Sequence, residues 1–291
     1  MDLRQLEARP TDDERNAIDA VLGHGEGHPV TPLRAASELR HLLLPALHAA
    51  QGRVGWVSPG ALGYVAERLH VPPAEAYGVA SFFALFALER RPPSVAHVCD
   101  DLACRAAGAE SLCASLTRTL GPAGTTRDGV MWQRTPCLGL CEQAPAVLTV
   151  RAGREPAEQS FGGATEALVL RALAGAVPEG DARPVIPQAG DPSLVLLRRV
   201  GVADPDRLDD YRAHGGYESL RRAFEMGPVG VLREVSESGL LGRGGAAFPT
   251  GRKWEAVSKA VARPHYVVCN ADESEPGTFK DRVLLELDPF A

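Results

Sequence analysis

Four cysteines in two short-spaced pairs constrain this chain more than any other feature of its sequence. Cys99 and Cys104 form a C-x4-C pair, and Cys137 and Cys141 form a C-x3-C pair. Each pair can chelate one metal centre, but the two pairs lie far apart in the sequence. If all four thiols serve one site, the fold must bring two separate loops together.

Two kinds of metal site fit this spacing equally well. A [2Fe–2S] cluster needs four thiolates, two on each iron, whereas a structural zinc site needs four ligands around one ion. Spacing alone leaves both open. Pro136 and Gly139 suit a tight loop whose backbone N–H groups can point at sulfide. A disulfide is disfavoured because thiols in the cytoplasm stay reduced.

The two remaining cysteines are predicted to be core residues. Cys113 comes too late after Cys104 for the plant-type ferredoxin spacing, and it shares a helix face with Leu112 and Leu116. Cys269 stands at the end of a predicted strand. We therefore expect both side chains to be buried in apolar surroundings.

Composition indicates a globular protein and argues against two functional classes. Apolar residues make up 45% and charged residues 23% of the chain, and the net charge of −6 disfavours binding to nucleic acid. The first 15 residues lack the apolar segment of a secretory signal. No window reaches the roughly 18 apolar residues of a membrane helix. We expect a soluble cytoplasmic protein with no direct membrane insertion.

The pattern of elements predicts an α/β protein with two domains. Residues 1–90 form a helical lead-in, loosely ordered up to about residue 30, and residues 91–177 follow the strand and helix order of a thioredoxin-like domain. Residues 178–194 are a proline-rich linker, and residues 195–291 begin a second, incomplete α/β domain. The predicted strands are 94–98, 130–134, 146–150 and 265–269; the predicted helices include 73–86, 110–120, 165–173, 216–226 and 228–238, one from Lys253 and one from Asp281.

The residues around the four cysteines resemble a known family. The sequences CDDLAC at 99–104 and PCLGLCEQAPA at 136–146 are similar to the 24-kDa-type thioredoxin-like [2Fe–2S] subunit of respiratory complex I. The motifs LPALH at 44–48 and VPPAEAYGVASFF at 71–83 extend the resemblance to residues 30–175. It implies that Cys99, Cys104, Cys137 and Cys141 are the ligands of a [2Fe–2S] cluster.

A glycine-rich loop and an acidic loop form a second candidate site. The glycine-rich loop at 242–251, GRGGAAFPTG, precedes a predicted helix, and glycine N–H groups, a helix N-terminus and the Lys253 ammonium can all bind phosphate. The acidic loop at 269–282, CNADESEPGTFKDR, follows a predicted strand, and its carboxylates can accept from ribose hydroxyls. Composition alone leaves a plain tight turn, a solvated acidic turn and a divalent-metal site open.

Together these loops resemble the 51-kDa-type FMN- and NADH-binding subunit of complex I, from about Asp210 onward. Relatives in NAD-dependent formate dehydrogenases and NAD-reducing hydrogenases share them. The resemblance implies phosphate contacts to FMN or NADH from Gly242, Arg243, Gly244, Gly245 and Lys253. It implies that Phe248 stacks on the nicotinamide nucleotide, that Asn270 and Asp272 hold FMN, and that Glu275 is catalytic near the reactive edge of the flavin. Two residues depart from the pattern: Ala247 replaces a common Gly, and Leu241 a common Arg.

The two resemblances imply an NADH dehydrogenase-type oxidoreductase subunit with a [2Fe–2S] cluster, FMN and NAD(H). Its expected partners are other redox subunits of the formate dehydrogenase, hydrogenase or complex I type, which carry further iron–sulfur clusters. The rival hypothesis is a non-catalytic zinc- or cluster-bearing assembly or redox-sensing module. Because the family's flavin domain continues beyond residue 291, we expect residues 195–291 to be less stable than residues 30–177. We also expect the isolated chain to bind FMN weakly or not at all and to have no NADH dehydrogenase activity.

Overall fold

The computed structural model describes residues 8–23, 39–176, 186 and 188–291. Backbone contacts divide the chain into two units: Met1–Ala182 with Ser274–Phe279, and Arg183–Glu273 with Lys280–Ala291. No helix within the described ranges is long and apolar enough to cross a membrane. Much of the linker expected at 178–194 falls outside those ranges. The described elements are mixed helices and strands, as the predicted α/β class requires.

The first unit begins with a helical bundle. Its helices are α1 (Asp12–Leu22), α2 (Leu43–Val54), α3 (Pro59–Arg68) and α4 (Pro73–Phe82). The Ser58 hydroxyl caps α3 by accepting the Ala61 N–H at 3.0 Å. Ile18, Leu47 and Val65 from three of these helices are fully buried and form the bundle core. Helix α4 is shorter than predicted because it ends at Phe82 and not at residue 86.

Helix α1 lies in the region predicted to be loosely ordered, so that prediction is wrong for Asp12–Leu22, whereas residues 24–30 lie outside the described residues. Thr11 and Glu14 form a capping box: the Thr11 hydroxyl accepts the Glu14 N–H at 3.2 Å, and the Glu14 carboxylate accepts the Thr11 N–H at 2.7 Å. Ile18 and Leu22 are the buried apolar residues of the helix. Two buried apolar positions are too few to give clear periodicity. The helix is stabilised by packing against α2.

Among the described residues, a five-stranded sheet follows the bundle. Its strands are β1 (Ser94–Cys99), β2 (Thr126–Arg127), β3 (Val130–Thr135), β4 (Val147–Arg151) and β5 (Ala157–Phe161), in the spatial order β2-β3-β1-β4-β5. Strand β1 is parallel to β3 and antiparallel to β4. Helices α5 (Leu102–Ala106), α6 (Ala109–Leu120) and α7 (Glu166–Leu173) complete the domain. This arrangement confirms the predicted thioredoxin-like order.

The core of this domain lies between the sheet and helices α6 and α7. Trp132, Leu116 and Val147 are almost completely buried there, and the Trp132 indole N–H donates to the Gly121 carbonyl at 2.9 Å. Cys113 is fully buried in the same cluster, which confirms that it is a core residue. Sequence patterns did not predict β2, β5 and α5, which are short; β2 and β5 are also largely polar. Edge strands of this kind form only by hydrogen bonding to a neighbouring strand.

The second unit is mainly helical. Its helices are α8 (Leu208–Ala213), α9 (Glu218–Glu237), α10 (Thr250–Lys259) and α11 (Lys280–Leu287). A break at Gly227 before Pro228 divides α9, so the helix pair predicted at 216–226 and 228–238 is confirmed. Helix α10 packs closely on α9, because a Cβ atom on Gly251 would lie 2.7 Å from the Ser236 Cα. Arg199 binds the buried Asp288 with an N–O distance of 2.8 Å.

The prediction of a strand at 265–269 is wrong. These residues form no β-ladder, and the β pairing in the described part of this unit is the bridge between Leu241 and Pro249. A strand needs a neighbour to bond its backbone groups. Val267 and Val268 are 99% and 82% exposed, so the rest of the described chain does not cover this apolar run. Cys269 is also exposed, which corrects its predicted burial.

Helix α3 offers a matched test of the bundle. A Cβ atom on Gly60 would lie 2.3 Å from the Arg9 carbonyl oxygen, whereas one on Gly63 would meet no atom within 4 Å. We expect Gly60→Ala to lower the free energy of unfolding by about 1–3 kcal/mol through overpacking. Gly63→Ala should raise it by about 0.5–1 kcal/mol, because alanine favours a helix. Chemical denaturation of both variants tests this, and equal effects would contradict the packing of Arg9 on α3.

Candidate functional site

The four paired cysteines meet at one edge of the sheet. Cys99 is the last residue of β1 and pairs in register with Thr135, the last residue of β3. Because β1 and β3 are parallel, both strands end at the same edge of the sheet. Helix α5 then carries Cys104, the loop after β3 carries Cys137, and a short 3-10 turn begins at Cys141. The fold thus brings together two loops that are distant in sequence.

The four thiols are arranged in pairs with different exposure. The Cys137 and Cys141 Sγ atoms lie 3.3 Å apart and are partly exposed, whereas Cys99 and Cys104 are buried. Burial raises the pKa of Cys104 to about 12, and the neighbouring Cys99 raises it further. Burial also raises the pKa of Cys141 to about 11. These thiols therefore need nearby positive charge to ionise, which a bound metal centre supplies.

Backbone N–H groups point at three of the four sulfur atoms. Gly139 donates to Cys137 Sγ at 3.4 Å, and Ala146 donates to Cys104 Sγ at 3.4 Å. Gly277 donates to Cys141 Sγ at 3.2 Å. The Gly139 N–H thus points at a cysteine sulfur, whereas the contact of this loop with a cluster sulfide stays a prediction. Such donors stabilise negative charge on sulfur.

Two charged residues position the cysteine loops, and sequence reasoning missed both. The Asp101 carboxylate accepts the Leu102 N–H at 2.8 Å and the Cys137 N–H at 3.3 Å, so it joins the two loops. Arg134 binds Asp100 at 2.7 Å and Glu110 at 2.8 Å. The sequence signal for Asp101 is its capping position after a strand. That position identifies the start of a helix but not the contact of Asp101 with Cys137.

His97 is a buried polar residue near the same edge. It precedes Cys99 by two positions on β1, so both side chains lie on the same face of the sheet. Its Nδ1 atom lies 2.9 Å from the Gln133 Nε2 atom. Burial lowers the pKa of His97 to about 4, and the positive charge of Arg91 lowers it further. The imidazole is therefore neutral at physiological pH.

The donor set fits a two-iron cluster. No three His, Cys, Asp or Glu side chains in the described ranges are grouped so that they could hold a metal ion. The sulfurs instead form the pairs Cys137–Cys141 and Cys99–Cys104, with Cys99 close enough to raise the pKa of Cys141. A [2Fe–2S] cluster takes two thiolates at each iron. The pairing and the N–H donors are what such a group needs from the protein.

The glycine-rich loop is closed at its base by a β-bridge between Leu241 and Pro249. The Gly242 N–H donates to the Phe248 carbonyl at 2.8 Å. The Lys253 Nζ atom lies 5.9 Å from the centre of the Phe248 ring. The structure thus brings Gly242, Phe248 and Lys253 together. Cβ atoms on Gly244 and Gly245 would meet nothing within 4 Å, so these two glycines and the neighbouring Arg243 form an open loop tip.

The acidic loop has a different arrangement. Asn270 and Asp272 are exposed, and the Asn270 side chain accepts the Asp272 N–H at 3.0 Å. Glu275 belongs to the segment Ser274–Phe279, which clusters with the first unit, so the structure does not group it with the glycine-rich loop. Glu273, which sequence reasoning did not single out, accepts the Asp281 N–H at 2.8 Å at the start of α11. Its role is to cap that helix.

Two family models match this chain. Residues 33–157 match the model of the thioredoxin-like [2Fe–2S] ferredoxin, which includes all four paired cysteines. Residues 235–291 match the model of the Nuo51 FMN-binding domain, which includes the glycine-rich and acidic loops.

Part of the chain is also similar to curated proteins. It is 56% identical over 96 residues to an NADH-quinone oxidoreductase subunit of Rhizobium meliloti (strain 1021), covering 33% of this chain and 23% of the relative. It is 48% identical over 97 residues to the HndC subunit of an NADP-reducing hydrogenase of Solidesulfovibrio fructosivorans, covering 33% and 20%. The matched part of this chain thus spans about a fifth of the length of these relatives.

One solved structure resembles more of the chain. The crystal structure of NAD+-reducing [NiFe]-hydrogenase in the H2-reduced state matches 85% of this chain and 41% of that chain. The TM-score is 0.56 and the sequence identity is 29%.

Ala247 provides a test of the glycine-rich loop. Its φ of +44° lies in the left-handed region, where a Cβ atom costs about 1 kcal/mol. We expect Ala247→Gly to raise the free energy of unfolding by about 0.5–1 kcal/mol. Ala246→Gly is the matched control, because its φ is not positive and it should only lose stability. Thermal unfolding compares the two, and equal effects would contradict the backbone conformation at Ala247.

Proposed function

We propose that this chain joins a thioredoxin-like [2Fe–2S] ferredoxin domain to part of a Nuo51-type FMN-binding domain, and that it transfers electrons between NADH and iron–sulfur centres. When bound, FMN exchanges hydride with NADH and a [2Fe–2S] cluster carries single electrons. The observation that carries the proposal is the convergence of two cysteine pairs at the shared edge of β1 and β3.

The domain boundaries of this proposal follow the sequence. Residues 1–90 are the helical lead-in, and residues 91–177 are the cluster domain. Residues 178–194 are the linker, and residues 195–291 are the amino-terminal part of the FMN/NADH domain. The helical bundle, the five-stranded sheet among the described residues and the two family matches support this division.

We assign Cys99, Cys104, Cys137 and Cys141 as the cluster ligands. Cys99 and Cys104 are buried, which keeps water from that side of the site. The N–H donors of Gly139 and Ala146 offset the negative charge that the thiolates carry. The protein thereby supplies position, partial burial and hydrogen bonds, which are the factors that set the reduction potential of a cluster.

The nucleotide site is assigned to the two loops of the FMN-binding family. The backbone at Gly242, Gly244 and Gly245 and the side chains of Arg243 and Lys253 would bind phosphate, with Phe248 stacking on the nicotinamide nucleotide. The open loop tip and the Lys253 ammonium beside Phe248 support this assignment. Asn270 and Asp272 would hold FMN, and Glu275 would act near the reactive edge of the flavin. The exposure of these three residues leaves them accessible to a cofactor.

The proposed partners are further redox subunits that carry iron–sulfur clusters. They belong to an enzyme of the complex I, hydrogenase or formate dehydrogenase type, and the similarity to an NADH-quinone oxidoreductase subunit and a hydrogenase subunit supports this. We propose a cytoplasmic location, since all six cysteines are free and such thiols persist in reducing compartments. We propose no binding to nucleic acid, which the net charge of −6 disfavours.

Metal analysis tests the cluster. Anaerobically purified protein is expected to be brown, with about two irons and two acid-labile sulfides per chain, because that is the composition of a [2Fe–2S] cluster. Reduction should give a one-electron EPR signal. Cys137→Ser should lose or reshape the signal, whereas Cys113→Ser should keep it because Cys113 lies in the sheet core. Stoichiometric zinc without labile sulfide would instead support the rival assembly module.

A second experiment tests Glu275 in the full-length enzyme. Glu275→Gln should lower NADH turnover by about tenfold or more. The substitution removes a negative charge near the reactive edge of the flavin, where charge moves during hydride transfer. Iron content and unfolding temperature should stay at the unsubstituted values. Glu225→Gln, an exposed substitution on α9, is the control and should leave turnover unchanged. Equal kinetics in both variants would make the acidic loop a solvated turn.

A further inference from the structure

A tight turn at Glu275–Thr278 lies against the cysteine loops within the first unit. The Thr278 N–H donates to the Glu275 carbonyl at 3.0 Å, which closes the turn. The ring of Pro276 fixes a negative φ, and Gly277 has a φ of +91°. A negative φ followed by a positive φ at the two central residues identifies a type II turn.

The turn type determines the direction of the peptide group between Pro276 and Gly277. Its N–H takes no part in the hydrogen bond that closes the turn, and it donates to Cys141 Sγ at 3.2 Å. In a type I turn the second central residue has a φ of about −90°, and the central peptide is rotated by about half a turn. A carbonyl oxygen would then occupy the place of the N–H. A residue that tolerates positive φ is therefore required at Gly277.

Cys141 is the thiol for which this donor matters. Cys137 and Cys104 have donors from Gly139 and Ala146, which lie in the cysteine loops or directly after them. The donor to Cys141 Sγ instead comes from Gly277, which lies 136 residues further along the chain. Hydrogen bonds to cluster sulfurs raise the reduction potential, because reduction adds negative charge that the donors stabilise.

We propose that the Pro276–Gly277 peptide raises the reduction potential of the cluster by donating its N–H to Cys141. The inference rests on the proposed function, since it requires the cluster. The donor belongs to the segment that matches the FMN-binding family, whereas the sulfur belongs to the segment that matches the ferredoxin family. Glu275, proposed to act at the flavin, is the first residue of the same turn. A rearrangement of this turn therefore changes the affinity of the cluster for an electron. Reciprocally, reduction of the cluster changes the stability of this turn conformation.

Substitution of Gly277 tests the inference in the full chain. A Cβ atom on Gly277 would meet nothing within 4 Å, so Gly277→Ala changes the backbone preference without a clash. We expect a more negative midpoint potential in an EPR-monitored redox titration. Gly277→Asn should stay close to the unsubstituted protein, because asparagine tolerates positive φ. Gly239→Ala is the control: its φ is +66° in open space within the second unit, and the potential should not change.

Isotope labelling provides a measurement that does not depend on the alanine variant. With 15N-labelled glycine, pulsed EPR of the reduced cluster should detect couplings from the Gly139 and Gly277 nitrogens, and only the Gly277 contribution should disappear in Gly277→Asn, where that position is unlabelled. Identical spectra would overturn the inference, as would an intact cluster with an unchanged potential in Gly277→Ala. If the unsubstituted protein has no [2Fe–2S] signal, the proposed function fails and the inference fails with it.

Discussion

Parallel pairing between β1 and β3 is the constraint on which the candidate site depends. A parallel pair places the ends of both strands at one edge. The register of Cys99 with Thr135 makes the two cysteine loops start side by side at that edge. Antiparallel β4 on the other side of β1 then begins next to this edge. Ala146, the residue before β4, donates its N–H to Cys104. Moving β3 by one residue would separate the cysteine pairs and turn its side chains to the wrong face.

Stabilising negative charge on sulfur is the second requirement, and the fold meets it with backbone groups. Burial alone raises the pKa values of Cys104 and Cys141, so the thiolates need both a metal centre and hydrogen-bond donors. The Asp101 carboxylate joins the loops by accepting the N–H groups of Leu102 and Cys137. Backbone donors are fixed in direction by the surrounding structure, which makes them more precise than flexible side chains.

The two units differ in how far they bury their apolar residues. The sheet domain surrounds residues such as Trp132 and Val147 completely, whereas Val267 and Val268 in the second unit are almost fully exposed. An apolar run such as Tyr266, Val267 and Val268 is typical of a strand buried on both faces. In the described part of the second unit, the base of the glycine-rich loop is closed by the bridge between Leu241 and Pro249.

The sequence by itself determined the cysteine pairs, the helix break at Gly227, the position of the glycine-rich loop and, in the sheet domain, strands β1, β3 and β4 with helices α6 and α7. These depend on local spacing, periodicity and the conformations of proline and glycine, which are readable without a fold. Tertiary structure alone decided helix α1, the polar edge strands, the exposed segment at 265–269 and the contacts of Asp101 and Gly277. Each of these depends on a partner distant in sequence. A capping box does not reveal what its helix packs against, and an apolar run becomes a strand only when a neighbour accepts its hydrogen bonds.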